Sequence, residues 1–130
     1  MKRAILLLKQ RLLSVKYALN GIKILFLEEP NAIIHLLVTV CVLIAGFVFQ
    51  ISNGEWIAVI LCVSFVIAME AVNSAIENIA DFISPEKHET IKKVKDLAAG
   101  AVLIGAIASA IVGMIIFLPK IIELLMTFYK

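Results

Sequence analysis

The sequence predicts an all-α membrane protein, with an N-terminal amphipathic helix on the membrane surface followed by three membrane-spanning helices. Two observations predict it. The 130 residues are 62% hydrophobic with a mean hydropathy of +1.06, too apolar for an ordinary soluble domain. Long apolar runs also recur at lengths that cross the hydrocarbon, separated by short segments of turn formers and charge. The net charge of +2 says little by itself, because in a membrane chain the placement of charge is what matters, and no nucleic-acid partner is expected.

In the first element, residues 1–27, Lys2, Lys9, Lys16 and Lys23 recur every seven residues and form one basic stripe on a helix. The remaining surface is rich in Leu, Ile and aromatic residues, which describes an interfacial helix whose lysines reach the headgroups. Lys9 and Arg11 interrupt the apolar run too early for a secretory signal. Glu28, Glu29 and Pro30 then break the chain before the first span. Pro30 and Asn31 favour a helix start, and residues 32–50 form that span. His35 and Thr39, one turn apart, read as a satisfied polar pair near the interface. Ser52, Asn53 and Gly54 are turn formers, and Trp56 opens the second span, residues 56–83, where an interfacial aromatic belongs.

Ser84, Pro85 and Glu86 mark a break and a new helix start, and residues 87–96 form a charged segment on the same side as the N-terminus. The third span, residues 97–118, carries no charge. Its small residues Ala101, Gly105, Ser109 and Gly113 make a strip that packs the spans together or, with weaker support, joins copies of the chain. Cys41 and Cys62 lie in apolar runs as reduced packing residues. Residues 1–130 thus form a single domain. Ten Lys and Arg fall on the side holding residues 1–31 and 84–96, against only Lys120 and Lys130 on the other. The positive-inside rule then places the N-terminus in the cytoplasm.

Function is concentrated between Glu70 and Asp96. At about 100° per residue, Glu70, Asn73, Glu77 and Asp81 share an arc of roughly 80° on one helix. Carboxylates on a membrane helix are expensive unless they line a site. Glu29, Glu77, Asp81 and Asp96 are hard oxygen donors of the kind magnesium prefers, Lys95 neutralises phosphate charge, and Glu70, furthest from water, suits a base for a lipid hydroxyl. Those parts suit phosphoryl transfer from a magnesium nucleotide, although neither a P-loop nor a kinase Gly-rich loop is present. A small proton-coupled transporter using Glu70 competes on these grounds, but it leaves Lys95 and Asp96 unexplained. A purely structural subunit has no need of Glu70, whose burial costs roughly 2.5 kcal/mol or more on insertion scales.

The run Glu70-Ala71-Val72-Asn73-Ser74-Ala75-Ile76-Glu77 with Asp81, then His88 and Lys95-Asp96-Leu97-Ala98-Ala99-Gly100-Ala101-Val102, resembles the prokaryotic diacylglycerol kinase family, which includes undecaprenol kinases. The likeness extends back through Glu29 to Gly21 and Tyr17. It implies a homotrimeric lipid kinase of the bacterial cytoplasmic membrane, with active sites composed between neighbouring protomers. By the same resemblance Glu70 is the catalytic base, and Glu29 and Glu77 hold Mg2+ on the phosphates of ATP. Asn73, Lys95 and Asp96 complete the nucleotide site, with Tyr17 and His88 as further contributors and Asp81 matching the stripe. Ser74 stands where Thr is frequent and keeps the hydroxyl. Glu29-Pro30-Asn31 with His35, and Ala98-Ala99-Gly100, look more like the undecaprenol kinase branch than the branch acting mainly on diacylglycerol.

Overall fold

The computed structural model describes residues 2–86 and 88–128 and is all-helical: α1 (Lys2–Glu28), α2 (Pro30–Val48), α3 (Asn53–Ile83) and α4 (Glu89–Phe128). The last three are each long and apolar enough to cross a membrane. Lys87, Lys130 and the side chain of Lys2, which contribute to the charge pattern, lie outside the described residues. Along α1, Lys9, Lys16 and Lys23 are exposed, as the stripe requires.

A single residue, Glu29, separates α1 from α2. Pro30 causes the break, because its ring disfavours helical backbone at the residue before it while its fixed φ suits a first helical position. Glu29 accordingly takes φ −106° and ψ 107° and serves as N-cap, with Pro30 in the first turn of α2.

The reversal between α2 and α3 sits earlier than the turn formers suggest, at Phe49–Ser52. The Ile51 amide bonds to the Gly46 carbonyl and the Gln50 amide to that of Phe47, the paired bonds of a Schellman motif. Gln50 holds the left-handed position at φ 47°. Ser52 then caps α3 reciprocally with Glu55: the Ser52 amide donates to Glu55 Oε2 at 2.6 Å and the Glu55 amide to Ser52 Oγ at 3.4 Å. Asn53 and Gly54 are therefore helical, because the Ser-x-x-Glu capping box outweighs their turn preference.

α4 extends beyond the expected third span, residues 97–118, at both ends. It starts shortly after the break, as expected: His88 caps it, its Nδ1 accepting from the Thr90 amide at 3.2 Å and its carbonyl from the Lys92 amide at 2.9 Å. At the far end the helix runs through Pro119 to Phe128. Proline inside a helix removes one backbone bond and crowds the preceding turn. Contacts on either side of it hold α4 in place, with Ile116 buried against Ile51 and Val59, and Lys120 paired with Glu55 at 3.4 Å.

The pairing of α3 with α4 is antiparallel, and the partners step down one helix as they climb the other. Asp81 meets Lys95, Phe65 covers Gly105, Ser109 Oγ reaches the Cys62 carbonyl at 3.5 Å, and Glu55 meets Lys120. Gly105 and Ser109 of the small-residue strip thus pack α4 against α3 within the chain. α2 runs antiparallel to α3 in the same way: Glu29 meets Ser74 at one end and Gly46 meets Trp56 at the other. The start of α2, the end of α3 and the start of α4 therefore gather at one end of the bundle.

Candidate active site

The polar stripe of α3 is graded by its surroundings. Glu70 is 2% exposed and is the largest fully buried side chain, Asn73 and Ser74 are each 7% exposed, Glu77 is half-buried and Asp81 is exposed. The reason is position along the helix: Glu70 lies well inside the three-helix contact, whereas Asp81 lies in the last turn of α3, beside the break.

Three elements close around this stripe. A cavity of about 240 Å³ is lined by Asn31, Ile34 and His35 of α2, by Glu70, Asn73 and Glu77 of α3, and by Ala99, Val102, Leu103 and Ala106 of α4. His35 and Glu77 are the other ionisable groups that line it beside Glu70. Asn73 Nδ2 donates to Glu77 Oε1 at 3.0 Å, which orients the Glu77 carboxylate along the stripe. Asn73 Oδ1 and Glu70 Oε1 are buried without hydrogen-bond partners. Buried polar atoms are nearly always bonded, so two orphans in one polar cavity mark a place prepared for something else.

Glu29 reaches this cluster from 45 residues away. Ser74 Oγ donates to Glu29 Oε1 at 2.7 Å, tying the α1–α2 junction to α3. Asn78 Nδ2 in turn donates to the Ser74 carbonyl at 2.9 Å. Where the end of α3 meets the start of α4, Lys95 Nζ bonds both Asp81 oxygens at 3.0 Å. An ammonium has three donors, so one N–H of Lys95 remains for another acceptor. Asp81 thereby gains a definite structural partner.

The chain does not bring every expected residue to this cavity. Asp96 is exposed on the first turns of α4, His88 caps that helix, and Tyr17 is 70% exposed on α1. Conversely, Asn31 and His35 line the cavity, and Ser74 and Asn78 form the bonds around Glu29. The His35–Thr39 pair is joined through the backbone: Thr39 Oγ1 donates to the His35 carbonyl at 2.7 Å, the back-bond a Thr makes inside its own helix, and the imidazole lines the cavity. The helical spacing of positions 31, 35 and 38 was the available signal.

No group of three or more His, Cys, Asp and Glu is gathered tightly enough to hold a metal among the described residues. The donor set nevertheless suits magnesium carried in with phosphates, which needs only one or two protein carboxylates beside phosphate and water oxygens. Glu29 and Glu77 are hard donors on the same cluster, each already oriented by a neighbour's hydrogen bond.

Fold and site together define a class: a polytopic helical membrane protein with an oriented acid cluster just inside one end of its bundle. Comparison with known proteins makes this specific. Residues 16–117 match the family model for prokaryotic diacylglycerol kinase. The chain is 40% identical over 93 residues to an undecaprenol kinase from Bacillus subtilis, covering 72% of this chain and 76% of that one. It is 37% identical over 103 residues to a diacylglycerol kinase from Haemophilus influenzae, covering 78% and 84%. A diacylglycerol kinase from Synechocystis is 34% identical over 115 residues, covering 88% and 66%. The chain belongs to the prokaryotic diacylglycerol kinase family and is a membrane lipid kinase.

Proposed function

We propose that the protein transfers the γ-phosphoryl group of ATP to the hydroxyl of a membrane lipid alcohol at the cytoplasmic face, with undecaprenol as the preferred acceptor over diacylglycerol. The observation that carries this reading is the buried, unpartnered oxygen of Glu70, set in a cavity that Glu77 also lines, with Glu29 tied to the same helix through Ser74. The 40% identity to an undecaprenol kinase, and Glu29-Pro30-Asn31 with His35, support the choice of lipid.

In this mechanism the lipid hydroxyl approaches Glu70, whose carboxylate takes the hydroxyl proton as the oxygen attacks the γ-phosphorus. The bond from that phosphorus to the β,γ-bridging oxygen breaks, ADP leaves and the lipid phosphate forms. Asn73 orients Glu77 through its Nδ2 and keeps Oδ1 free, while Glu29 and Glu77 would hold Mg2+, which would supply positive charge against the nucleotide phosphates. Lys95 presents its remaining N–H to phosphate, and Asp96, Tyr17 and His88 complete the nucleotide site, on surfaces that adjoin a neighbouring copy in a homotrimer. The ten basic residues on the side of residues 1–31 and 84–96 support the cytoplasmic orientation.

The test is transfer from labelled ATP in mixed micelles offering undecaprenol and diacylglycerol together, with Glu70→Gln as control. Transfer favouring undecaprenol and lost in the folded variant is expected. Near-normal turnover by Glu70→Gln would sink the assignment of the base. Absence of transfer to either lipid by folded wild type would favour proton-coupled transport.

A further inference from the structure

The two carboxylates proposed to hold the ion are oriented from the same helix by different routes. Glu77 is held directly, by Asn73 Nδ2 at 3.0 Å, one turn back on α3. Glu29 stands outside both α1 and α2 with extended backbone, and among the described residues its carboxylate bonds only to Ser74 Oγ, at 2.7 Å. How firmly Glu29 is aimed therefore depends on where the Ser74 hydroxyl points.

A serine inside a helix has a competing choice. Its hydroxyl carries one hydrogen, and the carbonyl four residues back is a ready acceptor. Ser14, Thr39 and Thr127 take that acceptor, donating to the carbonyls of Gln10, His35 and Glu123 at 3.0, 2.7 and 3.0 Å. Ser74 instead turns across to Glu29. Asn78, one turn on, biases that choice. Its Nδ2 donates to the Ser74 carbonyl at 2.9 Å, which fixes the amide, and lies 3.5 Å from Ser74 Oγ. An amide nitrogen is a donor only, so it faces a lone pair of Oγ and leaves the hydroxyl hydrogen for Glu29. At 3.5 Å the contact is weak as a bond. Its effect is to select one rotation of a hydroxyl on a residue that is 7% exposed, where water screens such a preference little.

We propose that Asn78 is a positioning residue for the reaction: through Ser74 it aims the Glu29 carboxylate, and so sets the affinity for the divalent ion without touching it. The proposal rests on the lipid kinase reading, in which Glu29 would hold Mg2+. Asn73 and Asn78 then serve the two ligands in parallel, one directly and one through a hydroxyl.

The test is binding of Mn2+, which shares the preference of Mg2+ for carboxylate and water oxygens. It is measured by electron paramagnetic resonance on full-length protein in micelles with the β,γ-imido analogue of ATP, beside a thermal melt of each variant and an assay of lipid phosphorylation. Losing the outer partner of a ligating group costs roughly 10–100-fold in metal affinity, and Asn78 is one contact further out, so Asn78→Ala is expected to weaken Mn2+ binding about three- to tenfold. Asn78→Leu, which keeps the volume but no donor, is expected to behave in the same way. Wild-type Mn2+ affinity in Asn78→Leu would assign the residue to packing and overturn the proposal. In a Ser74→Ala background the relay is already cut, so Asn78→Ala adds less than about twofold, and an undiminished effect there would show that Asn78 acts by another route. A lowered melting temperature with unchanged Mn2+ affinity overturns it too, as does a wild type that binds no Mn2+ with the nucleotide. Mn2+ binding that follows the expected ranking, without transfer to any lipid, supports the positioning role and overturns the kinase reading alone.

Discussion

Ser74→Ala isolates the bond that brings Glu29 to the site. Ser74 is 7% exposed and its hydroxyl donates to Glu29 Oε1 at 2.7 Å, so the substitution removes a charge-assisted hydrogen bond in a sheltered place. Such bonds contribute about 1.5–3 kcal/mol. At 1.36 kcal/mol per factor of ten, that corresponds to roughly 10–150-fold in whichever equilibrium depends on the bond. Removing a group that orients a metal-ligating side chain typically costs 10–100-fold in metal affinity. If Glu29 is a magnesium ligand, the half-saturating Mg2+ concentration for lipid phosphorylation therefore rises by at least tenfold. Ser74→Thr, which keeps the donor, stays near wild type. The assay is a Mg2+ titration of initial rate at saturating ATP and lipid, read beside a thermal melt of each variant. A lowered melting temperature with an unchanged Mg2+ curve refutes the reasoning, because it assigns the Ser74–Glu29 bond to holding the α1–α2 junction alone.

Glu77→Gln keeps an oxygen for Asn73 Nδ2 but removes the charge, so Mg2+ dependence and nucleotide affinity weaken together; an unaltered Mg2+ titration counts against Glu77 as a ligand. Lys95→Met and Asp81→Asn separate the two ends of the surface pair. With Asp81 64% exposed, solvent screens the pair, so Asp81→Asn shifts stability little. Lys95→Met raises KM for ATP at least tenfold, and equal KM effects in the two variants would show that Lys95 acts through Asp81 rather than on phosphate. At the opposite end, a Cβ at Gly46 falls 2.7 Å from Trp56 and 3.2 Å from Ile51. Gly46→Ala is therefore expected to cost about 1–3 kcal/mol by overpacking, measured by unfolding in detergent, with the acid site intact. A stability equal to wild type would mean that the Trp56 ring yields freely.

The sequence alone determined the helical class, the three spans and the stripe from Glu70 to Asp81, because hydropathy and a 3.6-residue period are local properties of a chain. It also held the family's residues in readable order, and Pro30 announced the break that leaves Glu29 extended. Local signals misplaced the ends of helices where two of them competed. Asn53 and Gly54 read as turn formers, yet the Ser52–Glu55 capping box makes both residues helical. Only the tertiary structure decided how the stripe divides. Glu70 is enclosed by α2 and α4, whereas Asp81, eleven residues on, is exposed and held by Lys95. It likewise decided that Glu29 meets Ser74 across 45 residues and that His35 lines the cavity beside Glu70. Those outcomes depend on the antiparallel register between helices, which is set by side-chain packing across the bundle and leaves no periodic trace in any one segment.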